Sequence, residues 1–565
     1  MRDVRRCGAG ELPSLARDLR RRIVEAVERN GGHLASNLGA VELTIALHRV
    51  FDLPRDRLLW DVSHQCYAHK LLSGRDGERF RKIRRDGGYC GYCDAKESPY
   101  DLFTVGHGGT ALSAALGLAV ARDLRKGKEH VVALLGDGSL SCGLTQEALQ
   151  QIPRRTGRLI IVLNDNGYAI DALAGAWADG LAGGAKCNVF SDFFGLAYRG
   201  EVDGHDFDEL LPALEWAKNC SRPVLVHVRS QKGRGHRAAE DDPVRFHNIA
   251  VAGPPPTAHS YGDALGFHLC ELAAANPAIV AVTAAMGLGT GLRPFAERFP
   301  DRFFDVSIAE GHAITFAAGL ARGGLRPLCA IYSSFAQRAV DNWFHDVCLQ
   351  NLPVVLCMDR AGLSCADGDT HHGLFDIALF SGFPNCTFAQ PSSLADFWGL
   401  LEVAFRRSGP FLIRYRRGIS GMIGSGPSAL AVGRAAKIRE GEDVSLWALG
   451  QRRLEQALEL ANLLEEQTIS AEVVDGRFVV PLDRDLLAQS ARRRLLVSLE
   501  DHVGAGGFGS HLLRGLQSCP HRPNFLPIAW PFPVGFAESD EILEKRWGQS
   551  TEQIFEKILV DLGKS

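Results

Sequence analysis

The strongest constraint on the fold of this chain is a series of short β-rich runs that each end in glycine or a polar residue. They are Val131–Leu135, Leu159–Leu163, Ile279–Val282, Phe303–Ile308, Val354–Met358, Phe411–Tyr415 and Leu495–Leu499. Segments with helical apolar spacing alternate with several of these runs, as in Thr145–Ile152 and Ala339–Leu349. Such alternation indicates parallel sheets covered by helices. The predicted fold class is therefore α/β, with mainly parallel sheets.

The length of the chain predicts several domains. Its 565 residues are too many for one hydrophobic core, because a domain usually holds roughly 100 to 200 residues. Two segments have the composition of linkers: Val251–His259, with Gly-Pro-Pro-Pro, and Gly424–Gly433, with Gly-Ser-Gly-Pro-Ser. We therefore expect three domains, at residues 1–250, 258–424 and 434–565.

Charge and cysteine content exclude several classes of protein. Lys and Arg number 63 and Asp and Glu 66, so no global field favours nucleic acid or an anionic membrane. The longest small-apolar run, around Ala111–Ala121, is too short to cross a bilayer. The 14 cysteines lack paired metal spacing, and Cys90 and Cys93 have no second pair nearby. We expect a cytoplasmic protein with reduced thiols and no nucleic-acid or membrane partner.

Two polar tripeptides give the sharpest local signal for a binding site. Gly136-Asp137-Gly138 and Asn164-Asp165-Asn166 each end a predicted strand, one crossover apart. Either tripeptide alone would be an ordinary turn, but ligands of parallel sheets bind where the strands end, so Asp137 and Asn166 are predicted to meet. A carboxylate and an amide oxygen suit Mg²⁺. The flanking glycines, Gly136 and Gly138, let the backbone approach phosphate oxygens closely.

The spacing of these tripeptides resembles the thiamine-diphosphate motif of the transketolase superfamily. The resemblance implies thiamine diphosphate and magnesium as cofactors. It also implies that Asp137 and Asn166 bind magnesium through their side chains and Tyr168 through its backbone carbonyl.

Glu310 is the candidate for activating this cofactor. Thiamine diphosphate needs a buried carboxyl group that shares a proton with its aminopyrimidine ring. Glu310 follows the predicted strand that begins at Phe303 and has an apolar approach, where loss of water would raise the pKa of its carboxyl group. A single Glu after a strand is usually a solvated residue or a helix cap, so this assignment depends on the motif above.

Longer motifs resemble the deoxyxylulose phosphate synthase family over nearly the whole chain. They include Gly32-His33-Leu34-Ala35-Ser36, Trp60-Asp61-Val62-Ser63-His64-Gln65, Thr283-Ala284-Ala285-Met286, Phe299-Pro300-Asp301-Arg302, Ile308-Ala309-Glu310 and Gly506-Gly507-Phe508-Gly509-Ser510-His511. The resemblance implies a transketolase-like fold of three α/β domains. The cofactor would lie between the first two domains of one subunit of a homodimer.

The same resemblance implies an activity. An enzyme of this family decarboxylates pyruvate and transfers the two-carbon unit to glyceraldehyde 3-phosphate, which gives 1-deoxy-D-xylulose 5-phosphate and carbon dioxide. The product is a precursor of isoprenoids, thiamine and pyridoxal.

Further site residues follow from the resemblance, position by position. It implies active-site histidines at His33, His64 and His107, residues near the diphosphate and substrate at Lys232 and His247, and an aromatic ring against the aminopyrimidine at Phe335. The positions that resemble those holding glyceraldehyde 3-phosphate are Tyr332, Arg360, Asp367, His371 and Arg417, with His371 also a catalytic candidate. Two guanidinium groups can hold a phosphate dianion through forked hydrogen bonds. Taken singly, Arg360 and Arg417 would be ordinary surface ion-pair residues.

The chain also departs from the pattern of the family. The departures are Gly108, Gly109 and Ala111, where hydroxyl residues are usual, together with Asn37, Ser63, Gly311 and Arg416. The segment Asp171–Asn188, rich in Ala and Gly, is shorter than expected. Two alternatives therefore stay open: a related transketolase or deoxyketose phosphate synthase with another donor or acceptor, and a catalytically silent paralogue that acts as a binding subunit. Intact Asp137, Asn166 and Glu310 speak against the second.

Overall fold

A computed structural model of the chain describes residues 4–170, 175–182, 189–249, 260–418 and 429–564. The predicted linker at Val251–His259 lies outside these residues, as do 424–428 of the second linker and most of the short segment 171–188. The described residues form two compact units. The first contains the residues up to 249 and the segment Ser307–Ala309, and the second contains the others.

The first unit is built on a five-stranded parallel sheet with strand order β1-β2-β3-β5-β4. Its strands are β1 (Arg57–Trp60), β2 (Val131–Gly136), β3 (Ile160–Asp165), β4 (Ala197–Asp203) and β5 (Val224–Arg229). Its α-helices are Leu12–Asn30, Ala35–Gly39, Val41–Val50, Tyr67–Leu72, Glu78–Arg81, Ala111–Leu124, Gly143–Arg155, Ala176–Ala182, Val189–Asp192, Phe207–Asn219 and Arg237–Asp241. Short 3₁₀ helices lie at Val4–Arg6, Ala9–Glu11 and Asp137–Ser141.

Both faces of this sheet are covered, which explains why its central strands have continuous apolar sequences. Alternate residues of a strand point to opposite faces. In β2, Val132 and Leu134 pack in one core, whereas Ala133 and Leu135 pack in another. A sheet buried in this way leaves only the ends of its strands for binding a ligand.

The second unit contains two sheets. Its strands are β6 (Ile279–Thr283), β7 (Phe303–Asp305), β8 (Arg326–Tyr332), β9 (Val355–Asp359), β10 (Thr387–Ala389), β11 (Phe411–Arg414), β12 (Ala436–Arg439), β13 (Val444–Ala448), β14 (Ala471–Asp475), β15 (Phe478–Val480), β16 (Leu495–Val503) and β17 (Asn524–Trp530). One sheet has the order β15-β10-β11-β9-β8-β6-β7 and the other β12-β14-β13-β16-β17. The pairs β10–β15 and β12–β14 are antiparallel and the other pairs are parallel.

Helices cover these sheets. The α-helices are Tyr261–Ala275, Arg293–Arg298, Glu310–Arg322, Ser333–Ala336, Val340–Asn342, Asp376–Phe380, Leu394–Arg406, Gln451–Glu466, Arg484–Ser490, Phe508–Leu516, Asp540–Arg546 and Thr551–Asp561. Two 3₁₀ helices lie at Pro300–Arg302 and Gln337–Ala339, and a π-helix lies at Trp343–Cys348. Among the described residues, no helix is both long and apolar enough to span a membrane.

The mixed α/β fold with mainly parallel sheets confirms the predicted class, and two elements differ from the sequence pattern. The predicted strand Phe303–Ile308 ends at Asp305, because Ser307 adopts a left-handed backbone with φ of 58°. The apolar stretch Ala339–Leu349 forms a turn of α-helix and then the π-helix instead of one regular helix. Periodicity alone does not distinguish these local geometries.

Candidate active site

Asp137 follows β2 directly, and three backbone amides hold its carboxylate. The amides of Asn166 and Gly167 donate to Oδ2 at 3.0 and 2.6 Å, and that of Gly138 donates to Oδ1 at 2.8 Å. Burial, followed by the charge of Asp165, raises the pKa of Asp137 to about 6 against the opposing effect of these hydrogen bonds. The structure therefore places the two predicted magnesium ligands, Asp137 and Asn166, side by side.

A buried polar network lies behind these residues. His227 Nε2 lies 2.8 Å from Asp165 Oδ2, and the hydroxyl of Tyr198 lies 2.9 Å from His227 Nδ1. Burial alone would raise the pKa of Asp165, but hydrogen bonds from His227 and Arg229 bring it below the usual value. Asp165, the middle residue of the Asn-Asp-Asn tripeptide, therefore fixes the turn through its side chain. Asn164 and Asn166 remain available for other roles.

Lys232 holds the chain that follows Asn166. Its Nζ donates to the carbonyl of Ala169 at 3.0 Å and to that of Ile170 at 3.4 Å. It also lies 5.1 Å from the ring centroid of Tyr168. An ammonium group at this position provides local positive charge beside the segment Tyr168–Ile170, which follows Asn166 in the chain.

Three of the predicted histidines form a cluster in which His33 and His247 are buried and His64 is partly buried. The ring centroids of His33, His64 and His247 are 5.3 to 5.5 Å apart. Burial, followed by the charge of Lys232, lowers the pKa of His64 to about 3. Burial, followed by Lys232, also takes the pKa of His247 well below its usual value. Both rings are therefore neutral near pH 7 and can exchange hydrogen bonds without carrying charge.

Asn37, one of the departures from the family pattern, connects two of these histidines. Its side-chain amide donates to the carbonyls of His33 and His64 at 2.7 and 2.8 Å. Its Oδ1 accepts the amide of Tyr67 at 2.8 Å. This completely buried residue joins two segments that are distant in sequence.

The predicted residue His107 begins a loop that Asp61 organises. Asp61 accepts the amides of Gly109 and Ala111 at 2.8 and 3.0 Å, as well as the hydroxyl of Ser139. Gly109 has φ of +80°, and a Cβ atom there would lie 2.6 Å from that of Cys142. The glycine that replaces a hydroxyl residue is thus a steric requirement of this chain.

Gly138 is closely packed as well. A Cβ atom at this position would lie 3.0 Å from that of Ala169 and 3.4 Å from Cδ1 of Ile308. The amide of Ile308 donates to Oγ of Ser141 at 3.0 Å. By contrast, a Cβ atom at Gly136 would meet nothing within 4 Å. Gly138 is therefore required by its protein neighbours, and the close approach of both glycines to phosphate oxygens stays a prediction.

In the second unit, Glu310 begins the helix Glu310–Arg322 and is 4% exposed. Burial raises the pKa of its carboxyl group, and Arg338, whose Nη1 lies 3.9 Å away, opposes the shift. The expectation of a buried carboxyl group with a raised pKa agrees with this geometry.

Aromatic and cationic groups gather where β8 ends. Tyr332 lies under the guanidinium of Arg360, whose Cζ is 3.7 Å from the ring centroid. Phe335 lies 5.7 Å from Tyr332 and 5.6 Å from His371 between ring centroids. Gly289 makes room for this arrangement, because a Cβ atom there would lie 1.7 Å from the hydroxyl of Tyr332. No sequence signal singled out this glycine.

Asp367 and Arg417 belong to the same group. Arg417 Nη1 lies 3.6 Å from Oδ2 of the buried Asp367, while the side chain of Arg417 is 48% exposed. The charges of Arg360 and Arg417 both lower the pKa of Tyr332 against the larger effect of burial. Two guanidinium groups near one aromatic ring, one of them open to solvent, suit the binding of a small anion.

Family models match most of the chain. A model of 1-deoxy-D-xylulose-5-phosphate synthase matches residues 1–188 and 182–230. A model of the transketolase pyrimidine binding domain matches 257–421, and one of the transketolase C-terminal domain matches 433–554.

Curated relatives match nine tenths or more of the chain. A 1-deoxy-D-xylulose-5-phosphate synthase of Methylacidiphilum infernorum is 43% identical and covers 99% of this chain and 96% of its own. One of Thermomicrobium roseum is 46% identical, with 91% and 89% covered. One of Acidobacterium capsulatum is 42% identical, with 100% and 97% covered.

The chain belongs to the 1-deoxy-D-xylulose-5-phosphate synthase family. It is a transferase that depends on thiamine diphosphate, which confirms the enzyme class, the organic cofactor and the fold expected from the sequence.

Three residues that organise the candidate site have no strong signal in the sequence: Asp61, Asn37 and Asp165. Asp61 belongs to the motif whose functional candidate is His64. Asn37 stands out in the sequence only as a departure from the family pattern. Asp165 stood between two amides, and its bond to His227 joins residues far apart in the chain. The position of Asp165 within the tripeptide was the one available signal.

The described residues contain no group of three or more His, Cys, Asp or Glu side chains suited to a metal ion. A magnesium ion that shares its coordination with diphosphate oxygens and water needs fewer protein ligands. The buried Asp137 carboxylate, which accepts the amide of Asn166, fits the magnesium diphosphate end of the cofactor. The described cysteines are free thiols.

Proposed function

We propose that this enzyme decarboxylates pyruvate and transfers the two-carbon unit to glyceraldehyde 3-phosphate, with 1-deoxy-D-xylulose 5-phosphate and carbon dioxide as products. The observation that carries this proposal is the pair of guanidinium groups, Arg360 over Tyr332 and Arg417 beside Asp367, within a chain of this family. Such a pair can hold a phosphate dianion and orient the attached aldehyde.

The first unit would hold the diphosphate. Asp137 and Asn166 would supply side-chain oxygens to magnesium, and Tyr168 its backbone carbonyl. Lys232 would neutralise diphosphate charge, and Gly138 would let the backbone come close. When bound, thiamine diphosphate supplies a carbon nucleophile and an electron sink that no side chain can provide.

Glu310 would keep the cofactor in its reactive form. Its raised pKa favours a shared proton with the aminopyrimidine ring near neutral pH. Phe335 would stack against that ring. The expected result of Glu310→Ala is loss of turnover by about 10²- to 10⁴-fold with the fold retained. Glu310→Gln is the matched control for size: it should lose turnover equally, because an amide cannot carry the proton. Undiminished activity in either variant would exclude this role.

The histidines would move protons and orient the reacting groups. His33, His64 and His247 form a cluster whose rings can exchange hydrogen bonds with pyruvate or the aldehyde. We propose that His107 contacts the cofactor and that His371 contacts the acceptor. The ring of His371 lies 5.6 Å from that of Phe335.

Product identification tests the proposed reaction. The purified protein is supplied with thiamine diphosphate, magnesium, pyruvate and a panel of aldehydes, and products are identified by mass. Formation of 1-deoxy-D-xylulose 5-phosphate with release of carbon dioxide is expected. A product formed without pyruvate would favour the transketolase alternative, and a coenzyme-binding protein without turnover would favour the silent paralogue.

We propose that the enzyme is a homodimer, and light scattering after gel filtration can measure its mass. We propose a cytoplasmic location, which cell fractionation can test. We also propose domains at 1–250, 258–424 and 434–565, with limited proteolysis expected to cut near 250–258 and 424–434.

A further inference from the structure

Two segments of the second unit contact each other beside the candidate acceptor residues. The first, residues 364–372, carries Asp367 and His371 and is called the acceptor loop. The second, residues 534–540, lies far later in the chain and is called the C-terminal brace.

Asp369 and His372 of the acceptor loop bind the backbone of the C-terminal brace. Oδ1 of Asp369 accepts the amides of Val534 and Gly535 at 2.9 and 2.8 Å. Nε2 of His372 lies 2.8 Å from the carbonyl oxygen of Gly535. One carboxylate oxygen thus fixes two consecutive peptide groups, which defines both the distance and the orientation of the loop.

Further contacts involve the other end of the brace. The amide of Ala537 donates to the carbonyl of Cys365 at 3.1 Å, and Sγ of Cys365 lies 2.5 Å from Oδ1 of Asp540. The other carboxylate oxygen of Asp540 pairs with Arg416. Asp540 therefore contacts both the acceptor loop and the residue that immediately precedes Arg417.

The ion pair between Arg416 and Asp540 matters because of the position of Arg416 in the chain. Arg416 replaces the residue type that is usual at this position, and it adjoins the arginine with the more exposed guanidinium of the candidate phosphate pair. Arg417 itself pairs with Asp367 of the acceptor loop at 3.6 Å. The C-terminal brace thus contacts the two segments that supply Asp367, His371 and Arg417.

We propose that Asp369 and Asp540 are positioning residues for the phosphorylated aldehyde. They hold the acceptor loop and Arg417 at the spacing that a phosphate group requires, without touching the substrate themselves. The inference rests on the proposed function, because it assumes that these residues bind glyceraldehyde 3-phosphate. Placement errors on the order of 1 Å in such groups are enough to weaken binding strongly.

Asp369→Ala is the decisive variant. Loss of two hydrogen bonds to a carboxylate should raise the KM for glyceraldehyde 3-phosphate about 10-fold or more. The KM for pyruvate should stay within about twofold of the parent enzyme, because the pyruvate and cofactor residues are untouched. Asp369→Asn should restore the KM for the aldehyde, since its amide oxygen can accept the same two backbone amides.

Asp540→Ala and Asp540→Asn test the second contact. Both lose the charge that pairs with Arg416, so both should raise the same KM, with a smaller effect than Asp369→Ala. Asp485→Ala is the matched control. It removes an exposed carboxylate whose partner, Arg434, lies in neither segment, and every kinetic constant should remain unchanged.

Direct binding separates this inference from the proposed function. Calorimetric titration with glyceraldehyde 3-phosphate, without pyruvate, should show weaker binding by Asp369→Ala than by the parent. A parent enzyme that neither binds this aldehyde nor converts it would overturn both proposals. If the parent binds and converts this aldehyde but Asp369→Ala has the same affinity and the same KM, the positioning role alone is overturned. A fall in kcat, both KM values and thermal midpoint together would also overturn it, because that pattern indicates general destabilisation.

Discussion

The two candidate binding regions of this enzyme are built in different ways. Around Asp137, three backbone amides fix a buried carboxylate at the end of a parallel sheet. Around Arg417, charged side chains on loops hold one another, and the guanidinium remains nearly half exposed. Main-chain contacts fix geometry whatever the neighbouring side chains are. The first region is therefore suited to a constant ligand and the second to a substrate that enters and leaves.

Asp137→Ala should have the largest effect and would sharpen this contrast. It removes the one carboxylate proposed to bind magnesium and leaves three amides without their acceptor. We expect turnover to fall at least about 100-fold, since hydrogen bonds to charged groups contribute about 1.5–3 kcal/mol each. Calorimetry with thiamine diphosphate and magnesium should show weak or no binding. Asp165→Asn is the comparison, because it should lower cofactor affinity less while keeping the tripeptide in place.

Arg417→Ala should affect one substrate only. The KM for glyceraldehyde 3-phosphate should rise about 10- to 100-fold, because one forked ionic contact to phosphate is lost. The KM for glyceraldehyde, which lacks the phosphate, should change little, and cofactor affinity should not change. Arg417→Lys should recover part of the loss, since a single ammonium group keeps the charge but not the fork. Equal losses with both aldehydes would contradict a phosphate-binding role.

Gly109→Ala should destabilise the first region through its backbone. The alanine must adopt a φ of +80°, and its Cβ atom would lie 2.6 Å from the Cβ atom of Cys142. Overpacking of this kind costs about 1–3 kcal/mol in free energy of unfolding, measurable by urea titration. Gly117→Ala is the matched control. Gly117 is an exposed position of the helix Ala111–Leu124 where an added Cβ atom meets nothing within 4 Å, so the change should stabilise the chain by about 0.5–1 kcal/mol.

The histidine cluster should make stability fall at acid pH, which is the smallest expected effect. The pKa of His64 is about 3 in the folded chain, well below its usual value of 6.5. Its contribution is therefore complete above pH 6.5 and is lost as the pH falls toward 3, because only the unfolded chain binds the proton.

His64→Asn removes this titration. The urea midpoint of the variant should fall less between pH 7 and pH 4.5 than that of the parent. His345→Asn, at an exposed histidine, should leave the acid-side fall of the parent in place. An identical fall in His64→Asn would show that other groups account for the acid sensitivity.

Sequence reasoning reached furthest where local pattern and fold agree. The strands before Asp137 and Asn166 are apolar on both faces, so the sequence pattern predicts where each strand ends. Because neighbouring parallel strands end at the same edge of the sheet, it also predicts that these two residues lie close together. Asn37 and Asp369 could not be found in this way, because each binds backbone groups distant in sequence. The early end of the strand at Asp305 depends on one left-handed residue, which composition does not reveal.

The short strand β15 has a practical consequence for dividing the gene. Phe478–Val480 pairs antiparallel with Thr387–Ala389, although it comes from the C-terminal part of the chain. A recombinant fragment that stops at residue 433 would leave the backbone of Thr387–Ala389 without this neighbour. Unpaired strand edges promote self-association. Laboratory truncations of the second unit are therefore expected to yield well-behaved material only when they extend past Val480.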